Sequence, residues 1–420
     1  MATLVHTMKV SWNSFMLTKL KSIVPNETEI SKLRANIALT FFGVYLVMMF
    51  ASLTYAYWIP TNGVFFGMLS NLSTLFLMIG CLISVLLRKP NQSYLIYGGL
   101  IILGVIVRHQ STIAFPLWFF LILLMLSDIS FTKIVKVFFY VTAPLTIFTL
   151  TMGYFRLIPT MQSPRGFGPN GEMIWRQGLG FNWVTLPSQL LFYLTLAYFF
   201  LKKGIMSWKE IIIITLSDVF LYVQTDTRNP FLLVLLIVLV AGLLNSKYKV
   251  NLIEFFSSKF FGIIAILSFP FFLLISICLA YLGTNGILVS KINHLMSNRV
   301  LYSHIGLEKY GVHPFGTRVV YNVLNPTHNL RGIYFYLDNS YMQYLITFGF
   351  IFIIIIVGLL TIQMFREYKS KKWYILFIFV LIAIHSTGDP QLMYISYSPF
   401  VLIIGNVIDR FKFFNREVKE

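Results

Sequence analysis

The chain has 420 residues, of which 57% are hydrophobic and 11% are charged, and its mean hydropathy is +0.76. These values exclude an ordinary soluble domain, in which about a quarter of the residues are charged. The formal net charge of +18 is carried by short polar segments between long apolar runs. We therefore expect an all-α polytopic membrane protein.

The apolar runs define the predicted elements. A helix needs about 20 residues to cross a hydrocarbon core of about 30 Å, and about twelve runs are candidates within a single integral membrane domain. The polar segment 1–36 comes before them and the tail 409–420 follows them. In chain order, the predicted spans cover 37–57, 64–87, 94–107, 112–127, 137–155, 183–201, 211–225, 230–245, 260–283, 341–361, 373–387 and 394–408.

The lysines and arginines predict the orientation of these spans. If the segment 1–36 is cytoplasmic, 23 of the 33 basic residues fall on cytoplasmic segments. This asymmetry follows the positive-inside rule and predicts that both termini are cytoplasmic. The remaining connections, including 156–182 and the long loop 284–340, then face outward.

The basic residues on the outer side are mostly arginines. Eight of the ten are arginine, whereas the cytoplasmic set holds five arginines and eighteen lysines. A topology signal requires only positive charge, but the planar fork of arginine is suited to phosphate. The sequence therefore favours an outer anion site, for a phosphate or pyrophosphate carried on lipid. The alternative is that these arginines reach lipid head groups or pair with Asp226, Glu308 and Asp338.

Two short outward segments supply candidate residues. The loop 156–182 contains Arg165 and Arg176, with Trp175 as either a platform for a sugar ring or an anchor at the membrane boundary. The turn TDTRNP joins two predicted spans and contains Asp226 and Arg228, which could instead pair with each other.

The long loop 284–340 is polar in a chain that otherwise consists mostly of apolar helix. Loops of this length inside a compact protein are usually functional or disordered, and the aliphatic and aromatic residues of this one argue against disorder. We expect a partly helical cap over an active site, bordered by His385 and Asp389 at the end of the next-to-last predicted span. The cap contributes Arg299, Arg318, Arg331, His328 and Asp338.

Three motifs in order resemble the Wzy-type polysaccharide polymerases of the O-antigen polymerase and ligase superfamily. A short outward turn of the type [ST]-R-[GN] matches Arg228, and an arginine that begins the large loop ahead of a short "lfG" segment matches Arg299 before HPFG. The loop-closing signature [HD]-N-x-[YF]-(x)n-G matches Asp338, Asn339, Tyr341 and Gly349. The resemblance at this level covers about residues 215–349, and the first half of the chain resembles the family only in topology.

The resemblance implies a glycosyltransferase on the outer face of the bacterial cytoplasmic membrane. Such an enzyme moves a growing glycan from undecaprenyl pyrophosphate onto a lipid-linked repeat unit, without a nucleotide sugar, cofactor or metal ion. Its partners are the lipid-linked donor and acceptor and membrane lipid, with a flippase and a chain-length regulator as further candidates, and no nucleic acid. The pyrophosphate is assigned to Arg228 and Arg299, then to Arg318 and Arg331, then to Arg165 and Arg176.

The acceptor hydroxyl needs a base or an orienting group. Ligases of the superfamily often carry histidine at the loop-closing position, where this chain has Asp338, so the role falls to Asp338 or His328. Asp226, Asn339, Tyr341 and His385 are assigned supporting roles. A ligase-like transferase and a relative of the cell-shape peptidoglycan polymerases are close alternatives, and a lipid-linked oligosaccharide flippase or exporter is an alternative from another class. A flippase should have matched halves around a central basic cavity, whereas the charges here concentrate in one asymmetric outer loop.

Overall fold

The computed structural model describes residues 27–88, 92–167, 170–323 and 334–411. In this part of the chain the architecture is all-α, with sixteen α-helices and one small hairpin. The helices are α1 (Glu27–Ala51), α2 (Gly63–Leu86), α3 (Ser93–Ser111), α4 (Phe115–Met125), α5 (Phe131–Tyr154), α6 (Leu186–Leu201), α7 (Trp208–Thr225), α8 (Arg228–Leu244), α9 (Lys249–Ser257), α10 (Lys259–Leu282), α11 (Ile287–Leu295), α12 (Arg299–Tyr310), α13 (Ser340–Thr347), α14 (Phe350–Lys369), α15 (Trp373–His385) and α16 (Gly405–Asp409). Short 3-10 helices cover Tyr55–Trp58, Pro60–Asn62 and Phe400–Ile404.

Six of the described helices are long and apolar enough to cross a membrane, namely α1, α2, α3, α5, α10 and α14. This confirms a multi-pass membrane protein, but it supports only half of the twelve predicted spans. The others correspond to shorter apolar helices, such as α4 and α6, or to α7, which contains the charged residues Lys209, Glu210 and Asp218. A capping box starts α7, because Ser207 and Glu210 each bind the other's backbone N–H.

Two of the predicted spans differ from the structure. The run 341–361 divides into the buried helix α13 and the long helix α14, separated at Gly349. The φ of Gly349 is +93°, and its backbone packs against Pro314 and Gly316 so closely that a Cβ atom would overlap them. Glycine is suited to both requirements, so the chain turns at Gly349 before α14 starts. The run 394–408 is not one helix either, because it contains only Phe400–Ile404 and α16.

The segment 156–182, predicted to be an outward loop, contains a hairpin. Strands β1 (Gln162–Phe167) and β2 (Met173–Gln177) pair antiparallel, with an irregularity between Pro164 and Gly166. Strand β2 packs against α7. The hairpin therefore lies beside the helix that leads into the TDTRNP turn.

Three helices make up the centre of the protein. In α6 and α15 nearly every residue is buried, and all eight residues of α13 are buried. The long helices α10 and α14 pack beside them and expose apolar residues on the other side, such as Leu274 and Ile354. Side chains at the ends of the central helices are thus removed from bulk water, and the candidate site is built there.

A partly buried charge cluster joins Asp409, near the end of the described chain, to Arg88 and Asp128. The Arg88 side chain is 4% exposed; its Nε lies 2.7 Å from Asp128 Oδ2 and its Nη2 lies 3.2 Å from Asp409 Oδ1. Asp409 also accepts hydrogen bonds from the Tyr97 hydroxyl at 2.9 Å and from the Asp128 backbone N–H at 2.6 Å. The cluster fastens α16 to the helices α2 and α3.

The Arg88→Met variant is expected to unfold at a clearly lower temperature than the wild type. Removing one partner from a buried charge cluster leaves the others unpaired, which costs about 3 kcal/mol. Thermal unfolding of the detergent-solubilised protein measures the effect. Lys136→Met, at an exposed position in α5, is the matched control. An unchanged unfolding temperature for Arg88→Met would show that the cluster does not fasten the helices.

Candidate functional site

A cavity of about 140 Å³ lies between α10 and α12. One part of its wall is apolar, with Phe272, Ile275 and Leu279 from α10 and Met296 and Val300 from the other side. The remaining wall is polar and consists of Ser276, Arg299, Ser303, Asn339 and Thr387. This volume is smaller than the pockets that enclose whole drug-sized ligands. It is suited to a head group that has both apolar and charged parts.

Among the described residues of this cavity wall, Arg299 is the single charged one. It is the first residue of α12, and its side chain is 20% exposed. The Nη1 atom donates to Met296 O at 3.1 Å, whereas Nη2 lies 3.9 Å from Asp389 Oδ1. The Nε atom is buried and has no hydrogen-bond partner in the described part of the chain. Arg299 therefore retains a free donor, in keeping with an anion site.

A network of side chains holds Asp389 next to Arg299. Asp389 is 4% exposed, and its carboxylate accepts hydrogen bonds from Gln189 Nε2 at 2.5 Å and from Asn229 Nδ2 at 3.0 Å. Gln391 Nε2 in turn donates to Gln189 Oε1. Gly388 makes room for this arrangement, since a Cβ atom there would lie 2.9 Å from Asn229 Nδ2.

His385 lies at the inner end of this network. Its ring is fully buried against Phe192, with the centroids 4.6 Å apart, and against Tyr193. The Nδ1 atom is 3.2 Å from Asn229 Nδ2 and 3.4 Å from Asp389 Oδ2. This position makes His385 a packing and orienting residue, in contact with both Asn229 and Asp389.

The loop-closing segment lies against the residues that follow α15. The Ser340 N–H donates to Ser386 O at 2.9 Å, and the Ser340 hydroxyl donates to Asp389 O at 2.6 Å. Asn339 caps α13, because its Oδ1 accepts the N–H groups of Tyr341 and Met342, and its Nδ2 donates to Ser276 in the cavity wall. These bonds hold the half-buried Asp338 close enough to Arg299 and Asp389 to interact with both electrostatically.

The two carboxylates at the site, Asp338 and Asp389, have perturbed pKa values. Burial raises the pKa of each from its ordinary value to about 6. The positive charge of Arg299 opposes this rise in both, and the negative charge of Asp389 adds to it for Asp338. A carboxyl group with a pKa close to neutrality can accept a proton and release it again, as a general base must.

Three other predicted arginines, Arg228, Arg318 and Arg176, are not among the described residues of the cavity wall. Arg228 is 71% exposed, with its Nε 3.9 Å from Asp226 Oδ1, so the pairing that the sequence left open is present. Arg318 is exposed, and no ion pair joins it to a described residue. Arg176, on β2, donates to Ser163 Oγ at 3.3 Å. Arg331, His328 and the side chain of Arg165 lie outside what the structure describes.

Tyr341 has a structural position. It is completely buried, and its hydroxyl donates to Ala383 O at 2.9 Å. Together with Tyr344, whose hydroxyl donates to Pro390 O at 2.9 Å, it fixes α13 against α15 and the segment after it. The loop-closing motif therefore contributes one candidate reactive group, Asp338, one cavity-wall residue, Asn339, and a packing residue.

Three residues of the network have no counterpart among the predicted site residues: Asn229, Gln189 and Gln391. Asn229 follows Arg228 in the TRNP motif. The motif therefore pointed to the correct turn, but Asn229 contacts Asp389 where Arg228 was the predicted site residue. Gln189 has a weaker signal, as an amide in an apolar run. Gln391 belongs to the polar stretch GDPQ, whose Asp389 was expected to border the site.

No protein-family model, curated protein or solved structure matches the chain. The chemistry of the cavity, together with the three sequence motifs, is therefore the basis for a function.

Proposed function

We propose that the chain is a glycosyltransferase that polymerises repeat units linked to undecaprenyl pyrophosphate, on the outer face of the bacterial cytoplasmic membrane. One observation carries the proposal: Arg299, with a free buried Nε, borders a cavity whose opposite wall is apolar, and two carboxylates lie beside it. An anionic head group attached to a hydrocarbon chain matches both walls. The order of the motifs around Arg228, Arg299 and Asp338 supports the same reaction.

The proposed reaction has a defined role for each charged group. The acceptor hydroxyl loses its proton to the carboxylate of Asp338, and its oxygen forms a bond to the anomeric carbon of the donor glycan. The bond between that carbon and the pyrophosphate oxygen breaks, and the leaving pyrophosphate carries away the electron pair. Arg299 stabilises the negative charge that develops on this oxygen, while Asn339 and Ser276 orient the head group in the cavity.

A strain that lacks this chain tests the proposal. Its surface glycan and its lipid-linked intermediates are compared by size with those of the parent strain. We expect single repeat units to accumulate on the carrier at the outer face, with long chains absent. Intermediates trapped at the inner face would contradict the proposal and indicate a flippase. Long chains that are made but remain on the lipid would contradict it and indicate a ligase.

A further inference from the structure

The guanidinium of Arg299 lies between two anion positions. On one side it borders the cavity, and its buried Nε has no hydrogen-bond partner in the described part of the chain. On the other side Nη2 is 3.9 Å from Asp389 Oδ1, which is too long for a good hydrogen bond but close enough for strong attraction in a buried place. The arginine is thus attracted to Asp389 without being locked to it.

Asp389, in contrast, is fixed. Gln189 donates to one carboxylate oxygen and Asn229 donates to the other. Both donors are neutral amides on different helices, α6 and α8, and neither neutralises the carboxylate. If Arg299 turns toward a ligand in the cavity, Asp389 cannot follow and loses the one positive charge near it among the described residues.

We propose that Asp389 is a positioning residue that serves as the resident counter-ion of Arg299 in the empty site, and that an anionic ligand displaces it and makes it bind a proton. The identity of the ligand as a lipid pyrophosphate rests on the function proposed above. The proton comes from solvent and neutralises a carboxylate that would otherwise face a second anion at close range. Asp389 therefore both holds Arg299 ready and competes with the ligand for it.

The surroundings of Asp389 fit this role. Among the described groups, Arg299 and Asp338 bear the nearby charges, and His385 provides a buried ring with Nδ1 3.4 Å away. Burial already raises the pKa of Asp389 to about 6, so losing Arg299 to a ligand moves its titration toward neutral pH. The groups that face it are Gln189 and Tyr193 from α6, Asn229 from α8, Arg299 from α12, His385 from α15, and Asp338 and Tyr397 from the connecting segments.

The network can accept the Asp389→Asn substitution. The NH2 group of the new asparagine donates a hydrogen bond where a carboxylate oxygen of Asp389 accepted one. If the Gln189 amide flips, its Oε1 becomes the acceptor for this NH2 group. Gln391 can then flip as well, because its Oε1 is buried without a hydrogen-bond partner in the described structure. The variant removes the negative charge and retains the shape of the site.

The test measures binding of farnesyl pyrophosphate to the purified full-length protein in detergent, between pH 5 and pH 8.5. Asp389→Asn is expected to bind the probe about tenfold more tightly than the wild type at pH 8. A tenfold difference corresponds to a rise of about one unit in the pKa of Asp389 when the probe binds to the wild type. At pH 5 both proteins have a neutral side chain, and their affinities should converge. The probe's own protonation is common to both proteins and cancels in the ratio of their dissociation constants.

Glu308→Gln is the matched control. Glu308 is exposed on the same helix as Arg299, so this change removes a negative charge outside the cavity wall. The dissociation constant of Glu308→Gln for the probe should therefore stay close to that of the wild type at every pH. A ratio for Asp389→Asn that does not change with pH, or weaker binding by this variant at pH 8, would overturn the inference. A folded wild type that never binds the probe would overturn the pyrophosphate site as well. The two proposals can also separate. If the affinity ratio changes with pH as expected but the deletion strain still makes normal polymer, the counter-ion role of Asp389 is supported and the polymerase function is overturned.

Discussion

Replacement of Arg299 by lysine is expected to lower the rate of glycan transfer by about 100-fold, which is the effect of removing one preorganised donor from a developing negative charge. Lysine keeps the charge but lacks the planar fork, which has several donors and can bind an anion while Nη1 remains bonded to Met296 O. Transfer is measured as the length distribution of the surface glycan, alongside the amount of protein in the membrane.

Arg108→Lys provides the matched control for this experiment. Arg108 is an exposed arginine in the last turn of α3, on the side predicted to face outward. Normal polymer from Arg108→Lys and short or absent polymer from Arg299→Lys, at equal protein levels, would support the assignment. Full polymerisation by Arg299→Lys would remove Arg299 from the reaction.

The second large effect is expected for Asp338→Asn, with a loss of 100-fold or more, within the range of roughly 10² to 10⁴ that a general base contributes. The carboxylate must be unprotonated to accept the proton of the acceptor hydroxyl. Burial raises its pKa to about 6, so the wild-type rate should fall as the pH drops through about 6 and level off above it. Asp338→Glu should recover part of the activity, since it retains the base at an altered distance.

Two further variants separate Asp338 from its alternatives. Asp389 titrates in the same range, but a pH profile that originates from Asp338 should still show an inflection in Asp389→Asn, at a lower pH because the charge of Asp389 raises the pKa of Asp338. If His328 is the base, His328→Gln should abolish transfer while Asp338→Asn leaves it largely intact. That pattern would move the proton-accepting role out of the loop-closing motif.

The sequence predicted the class of the protein because the relevant signals are local. Apolar runs as long as those of α2 and α10 can hardly be anything but membrane-crossing helices. The number of spans was less certain, since hydropathy does not distinguish a lipid-facing helix from a short apolar helix that is enclosed by protein. Helices α4, α6 and α15 are short apolar helices of this type. The predicted span 341–361 combined α13 with α14, because the turn between them depends on the packing of Gly349 against Gly316.

The candidate site was predictable only where a motif pointed to it. Arg299, Asp338 and Asn339 were singled out and lie at or beside the cavity. The TRNP turn was identified too, but whether Arg228 or Asn229 turns inward depends on how α8 packs against α15. No local pattern contains that information, and the same holds for Gln189, whose role requires a partner two hundred residues away.

The distance along the chain between the site residues has a consequence for biosynthesis. Gln189, Asn229, Arg299 and Asp338 are all translated before Asp389, and α13 needs Ser386 O as an acceptor for the Ser340 N–H. While the ribosome is still making α15, the earlier helices can already be inserted, yet Arg299 has neither its counter-ion nor a finished wall. The segment that follows α15 therefore supplies the counter-ion Asp389 and the wall residue Thr387 together, so both are added late in synthesis.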